Sequence, residues 1–177
     1  MATREALREL QARLAKRLQA AQTEGMSVAW LAVRAGGHNY LLPLGQAGEI
    51  VPLPPVQRVP YTRAWFEGVL NVRGNLYGLV DLAAFVAANQ GPAVVPAPSR
   101  QDASVVTLNA TLEVNCALRV DSLAGLRGND AYASISAPVA GEPPFFGNCF
   151  LDAEGQRWQE LNLQALAQFP PFLHIGI

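Results

Sequence analysis

Histidine and cysteine are scarce in this 177-residue chain, two of each, and neither pair has the spacing of a metal site. Little is therefore left to titrate near neutral pH, where histidine is the usual agent of acid–base chemistry. Also missing are the G-x-S-x-G nucleophile turn, a phosphate-cradling glycine loop and the H-E-x-x-H helix. His38, beside a glycine pair, and His174, in an apolar tail, read as surface residues. Cys116 and Cys149 sit in apolar strand-like runs and read as buried free thiols rather than a disulfide. Charge of one sign is lacking too: thirteen Lys and Arg face fourteen Asp and Glu, so the net charge is −1. No concentrated basic face for nucleic acid is expected from arginines scattered this way. No apolar run is long enough to span a bilayer, and no apolar signal core follows the charged N-terminal stretch. The expectation is a soluble, cytoplasmic protein that is not an enzyme and uses no cofactor or metal.

Half of the residues are hydrophobic, enough for a sizeable core at this length. The most informative stretch runs from Phe66 to Leu82. Val69 to Val72 and Leu76 to Val80 are apolar, β-prone runs on either side of Arg73-Gly74-Asn75. A glycine free to take positive φ beside asparagine predicts a tight β-hairpin with Arg73 at its tip. Asp81 then stands as the N-cap of a short helical turn, Leu82 to Phe85. Asn71 and Asp81 are expected to bond the backbone of their turns. Arg73 stays protonated and is no catalyst; it is either a recognition anchor or a fastener of the hairpin to a carbonyl or to Glu67.

These residues carry a resemblance. Gly68-Val-Leu-Asn-Val-Arg-Gly74 followed by Leu79-Val-Asp-Leu82 resembles the G-x-x-N-x-R-G and V-D-L signature of CheW-like domains, with Gly78 near a place where the pattern often has proline. The aromatic pair Trp65-Phe66 before it, and Arg73-Gly-Asn-Leu-Tyr77, are similar to the PilI-type branch found in type IV pilus chemosensory systems. In the same frame Glu49-Ile50 match an E-I motif tied to the receptor-binding surface, while the residues alone give Glu49 as a solvated loop carboxylate.

Elsewhere the chain reads in order. Leu7, Leu10, Leu14 and Leu18 recur at helical spacing among charges, predicting an amphipathic helix within an N-terminal segment 1–24. Ser27 to Val33 and Tyr40 to Leu44 flank a glycine pair as a second hairpin. Prolines exclude Pro52 to Val56 from a central strand, and Val56 to Pro60 is placed to rejoin a sheet edge. Residues 91–98 are a Pro-rich connection between two halves of similar design. Ser104 to Leu108 reads as a strand. Val114, Cys116, Leu118 and Val120 alternate with Asn115, Ala117, Arg119 and Asp121, the period of a half-buried strand. Leu126 to Gly141 shows no clear period. Phe146 to Leu151 and Gln156 to Leu161 make a third hairpin, after which Asn162 caps a turn as Asp81 does.

Many short strands with Gly and Pro turns predict an all-β protein. The resemblance, over Ser27 to Leu166, implies two five-stranded SH3-like barrels side by side in one CheW-like domain, residues 25–177, with a hydrophobic groove between them. It also implies an adaptor joining methyl-accepting chemoreceptors to the regulatory domain of a CheA-type histidine kinase, with the PilI-like features pointing to twitching motility as output and flagellar chemotaxis as the alternative. Arg73, Glu49, Ile50 and Asn71 would meet partners; Gly74, Asp81 and Asn162 would hold turns and caps. The other function class open to such a barrel is a small-molecule sensor.

Overall fold

The computed structural model describes residues 12, 30–90 and 102–177. The expected N-terminal helix and the Pro-rich connection at 91–98 lie outside the described residues. Eleven strands dominate: β1 (Trp30–Ala35), β2 (His38–Pro43), β3 (Ala47–Pro52), β4 (Phe66–Val72), β5 (Asn75–Asp81), β6 (Ser104–Leu108), β7 (Cys116–Val120), β8 (Ser122–Arg127), β9 (Tyr132–Ser136), β10 (Phe146–Asp152) and β11 (Arg157–Leu161). Within residues 30–90 and 102–177 three short α-helices join them: α1 (Leu82–Gln90), α2 (Leu163–Gln168) and α3 (Pro170–Leu173).

The strands form two sheets, one of six in the order β8-β1-β2-β11-β10-β9 and one of five in the order β3-β6-β7-β5-β4. Sequence halves and sheets do not coincide. The N-terminal hairpin β1–β2 joins the C-terminal strands, and β6 and β7 join strands that precede residue 91. Each sheet has a single parallel junction, β2 with β11 and β5 with β7; every other pairing is antiparallel. The expected division at 91–98 therefore falls inside one sheet's strand sequence, since β5 before it and β6 after it share that sheet. Two closed five-stranded barrels are not what forms. Among the described residues the edges β3 and β4 of the five-stranded sheet are not paired with each other, and a single bridge, Gln57 with Val69, brings the post-β3 segment onto β4. Its two hydrogen bonds are both 2.8 Å. Val56 to Pro60 thus touches a sheet edge at one residue because the prolines around it offer no donors for a longer ladder.

Burial explains why several strands read as continuous apolar runs. Leu31, Val33 and Ala35 of β1 face a large core shared by both sheets, while Trp30 and Ala32 face a smaller core inside the six-stranded sheet. Strands β5, β6 and β7 divide in the same manner. Val80, Val106 and Leu118 enter the shared core, and Leu79, Val105 and Ala117 enter a third cluster within the five-stranded sheet. A strand covered on both faces needs apolar residues at every position. This corrects the reading of β7 as half-buried: all five of its residues are buried, Arg119 included. The helices seal the shared core, α1 with Leu82, Phe85 and Val86, α2 with Leu163 and Leu166, and α3 with Phe172. Ring contacts of Phe85 with Trp65, Phe145, Phe169 and Phe172 make its aromatic centre.

The apolar tail covers part of the molecule's own surface. After α3, Thr62 bridges to Gly176, and Arg63 N–H donates to the Ile175 carbonyl at 2.8 Å. Both cysteines are free; Cys116 is buried and Cys149 is half-buried, more open than its apolar surroundings in sequence suggest. Burial pushes the Cys116 thiol up to about 12.

Candidate functional site

The β4–β5 hairpin turns through Arg73 and Gly74, with Val72 opposite Asn75. Both turn residues have positive φ, 50° and 87°, as a two-residue hairpin of primed type requires. Asn71 Oδ1 accepts from Gly74 N–H at 2.9 Å and pins the turn. A short, backbone-fixed loop therefore presents Arg73, whose side chain is 78% exposed. Its partner is Glu49, with Arg73 Nε 3.1 Å from Glu49 Oε2. Glu67, the carboxylate weighed from sequence, is engaged elsewhere.

Glu49 is not the loop carboxylate that the residues alone suggest. It and Ile50 lie on β3, the edge of the five-stranded sheet, with Ile50 opposite Val106. Glu49 N–H donates to Thr107 Oγ1 at 2.8 Å, which fixes the backbone from which the carboxylate projects. Gly48 makes this approach possible, because a Cβ there would stand 2.4 Å from Thr107 Oγ1. Ile50 is 43% exposed, and Leu76, next to the hairpin tip on β5, is 61% exposed. The sheet thus brings Glu49, Ile50, Asn71 and Arg73 into one surface region: an exposed ion pair with an apolar neighbour on a rigid turn and an edge strand.

Asp81, Asn162 and Gly74 occupy turn and cap positions. Ala84 N–H donates to Asp81 Oδ1 at 3.1 Å, and Ala165 N–H donates to Asn162 Oδ1 at 3.0 Å. Each caps the helix that follows a hairpin, α1 after β4–β5 and α2 after β10–β11. Asp81 has a second function. Its Oδ2 accepts from Nη2 of Arg119, whose Nε lies 3.0 Å from Glu67 Oε2. Arg119 is 3% exposed, so one buried guanidinium joins carboxylates from β4 and β5 to the sheet's central strand. Sequence reasoning missed this residue. The only signal was an arginine at a polar position of a strand, which reads the same for a solvated side chain. Asp121 accepts from Gly36 N–H at 2.8 Å and ties the β1–β2 turn.

No cluster of three or more His, Cys, Asp or Glu placed to hold a metal occurs among the described residues. No helix among them is long and apolar enough to cross a membrane. The exposed Glu49–Arg73 pair, set beside Ile50 on a rigid turn and an edge strand, is the kind of surface with which proteins bind one another. Comparison with known proteins gives the class a family. The family model of the CheW-like domain matches residues 29–170. The chain is 30% identical over 168 residues to protein PilI of Pseudomonas aeruginosa, covering 93% of this chain and 89% of that one. Among solved structures it is similar to the scaffolding protein TtCheW from Thermoanaerobacter tengcongensis, with a TM-score of 0.60 at 16% identity over 76% of this chain and 88% of that one. The chain belongs to the CheW-like domain family and is a non-catalytic adaptor.

Proposed function

We propose that this adaptor couples methyl-accepting chemoreceptors to a CheA-type histidine kinase in the cytoplasm, with type IV pilus twitching motility as the output. The observation that carries the reading is the PilI relationship, which extends over nearly the whole of both chains. It favours the pilus over a flagellar output. Binding falls to the face that holds Glu49, Ile50, Asn71 and Arg73. An exposed ion pair such as Glu49–Arg73 stabilises a fold by at most about 1 kcal/mol. The pair is therefore better suited to exchange partners than to hold the sheet. A receptor's helical tip laid across this face would bury Ile50 and Leu76 and offer a carboxylate to Arg73, area giving affinity and the guanidinium giving register.

The test is a titration of the protein against two partners in turn: the kinase regulatory domain and the receptor's cytoplasmic tip. The expected result is saturable binding to both, with Arg73→Ala weakening the receptor arm by about 1–3 kcal/mol and leaving the melting temperature in place. A folded protein that binds neither partner refutes the adaptor reading. A loss of the thermal transition in Arg73→Ala would make the arginine a structural residue instead.

A further inference from the structure

We propose that residues 4–22 of this chain fold back as a helix onto β8, an open edge of the six-stranded sheet, and cover Leu123 and Leu126. Directly opposed residues of antiparallel strands point to the same face of a sheet. Leu126 stands opposite Leu31, and Leu31 opposite Leu42; Leu123 stands opposite Val33, and Val33 opposite Tyr40. Leu31, Val33, Tyr40 and Leu42 are all buried in the shared core. Each of these two rows therefore runs from the core to the sheet edge and ends in an open leucine, Leu123 at 40% and Leu126 at 67% exposure. A bulge at Ala124 and Gly125, the glycine at φ 91°, returns Leu126 to the face of Leu123. An apolar edge of this kind invites pairing with another chain, and covering it with a helix is one of the ways proteins prevent that.

Attachment, fit and charge select the occupant. β8 is the neighbour of β1, and the chain enters β1 at Trp30, opposite Arg127. Residues 19–29, between the predicted helix and Trp30, can span up to about 36 Å, whereas adjacent strands lie only about 5 Å apart. Leu7, Leu10, Leu14 and Leu18 make a stripe about 16 Å long on a helix, close to the roughly 20 Å of the six-residue strand β8. Ala12, within this stretch, is helical and exposed, and helical geometry sets it on the side away from the leucine stripe. Residues 1–29 hold five basic side chains against three acidic ones and are net positive, whereas the whole chain carries −1, so the remainder is net negative. Asp121 and Asp130 bracket β8, and its one cation, Arg127, lies over Trp158 on the opposite face. Val59 and Tyr61, also exposed, are flanked by Arg58 and Arg63, which repel a basic segment.

The experiment labels the leucine methyl groups of the full chain and records methyl–methyl NOEs, with resonances assigned by single Leu→Ile substitutions. A second sample dilutes the labelled chain with a large excess of unlabelled chain, which suppresses contacts between copies and keeps those within one. The expected result is NOEs from Leu10 or Leu14 to Leu123 or Leu126 that survive dilution and vanish in both Leu126→Glu and Leu14→Glu, with the β-sheet circular dichroism unchanged. Leu14→Glu alters no strand, so it carries the test even where Leu126→Glu fails to fold. Three outcomes overturn the proposal: no such NOE in the wild-type chain, NOEs that disappear on dilution because a second copy supplies the helix, or NOEs that persist in either folded variant.

Discussion

Gly68 and Gly74 belong to the same seven-residue signature, yet they are glycines for different reasons. At Gly74 a Cβ would meet nothing within 4 Å; only its φ of 87° matters. At Gly68, with φ 138°, a Cβ would stand 2.2 Å from the Gln57 carbonyl oxygen. That oxygen cannot retreat cheaply, because it accepts from Val69 N–H in the bridge that ties the β3–β4 connection to β4. Gly74→Ala should therefore cost about 1 kcal/mol, the strain of a left-handed alanine. Gly68→Ala should cost about 2 kcal/mol or more, since strain and a backbone clash coincide. Urea denaturation of the two variants checks the ranking, and equal midpoints would remove the close-approach explanation. The turn glycine was legible in the sequence, because turn chemistry is local: Arg, Gly and Asn sit between two apolar runs. Gly68 was not, because what it touches is eleven residues away, where the prolines of the loop give no hint of a contact.

Elements were legible wherever their burial was one-sided or their ends were marked. The hairpins β1–β2, β4–β5 and β10–β11 follow from glycine turns, and Asn162 and Asp81 mark the starts of helices. Strand β7 was placed but misjudged, since alternation shows that every second residue differs in kind and says nothing of what covers the other face. Strands β8 and β9 were missed because they lie at the two edges of the six-stranded sheet, with Leu126 and Ile135 more than half exposed and no buried face to impose a period. The β10–β11 turn carries a pH-dependent element. Asp152 accepts from Trp158 Nε1 at 3.0 Å, Gln156 N–H at 2.8 Å and Glu154 N–H at 3.0 Å. These bonds, the indole's foremost, hold its carboxyl below the usual aspartate range. A depressed folded pKa means stability that is complete above the unfolded pKa, about 3.9, and is lost as pH falls through the lower folded value. Melting temperatures of wild type and Asp152→Asn, measured from neutral to strongly acid pH, should differ most near neutrality and converge in acid. A gap that stays constant with pH would show that the carboxylate's charge contributes nothing to the turn.

At the scale of the whole molecule, each sheet is assembled from strands on both sides of residues 91–101. The two chain halves meet at four junctions, the parallel β2 with β11 and β5 with β7 and the antiparallel β1 with β8 and β3 with β6, and the shared core draws Leu31, Val33 and Leu42 against Val106, Leu118 and Leu163. Sequence order could not reveal this exchange, because strand patterns report burial and not neighbours; the one trace was the repeated hairpin, Asx cap and helix at Asp81 and Asn162. The exchange has an energetic consequence. A fragment ending at residue 90 would hold β1 and β2 without the strand β11 that flanks β2, and β3 and β5 without the β6 and β7 that lie between them. A fragment starting at 102 would lack the partners of β7, β8 and β11 in the same way. Neither can bury enough apolar surface to offset the entropy of ordering its chain. The intact protein should then unfold in one cooperative transition, while fragments 1–90 and 102–177 should each give the circular dichroism and narrow amide dispersion of unfolded chains. Mixing them should restore β structure, because every missing strand is supplied by the other piece. A fragment that folds alone with a sharp melting transition would mean that its sheet is self-sufficient, and the interleaved core would not be what holds the adaptor together.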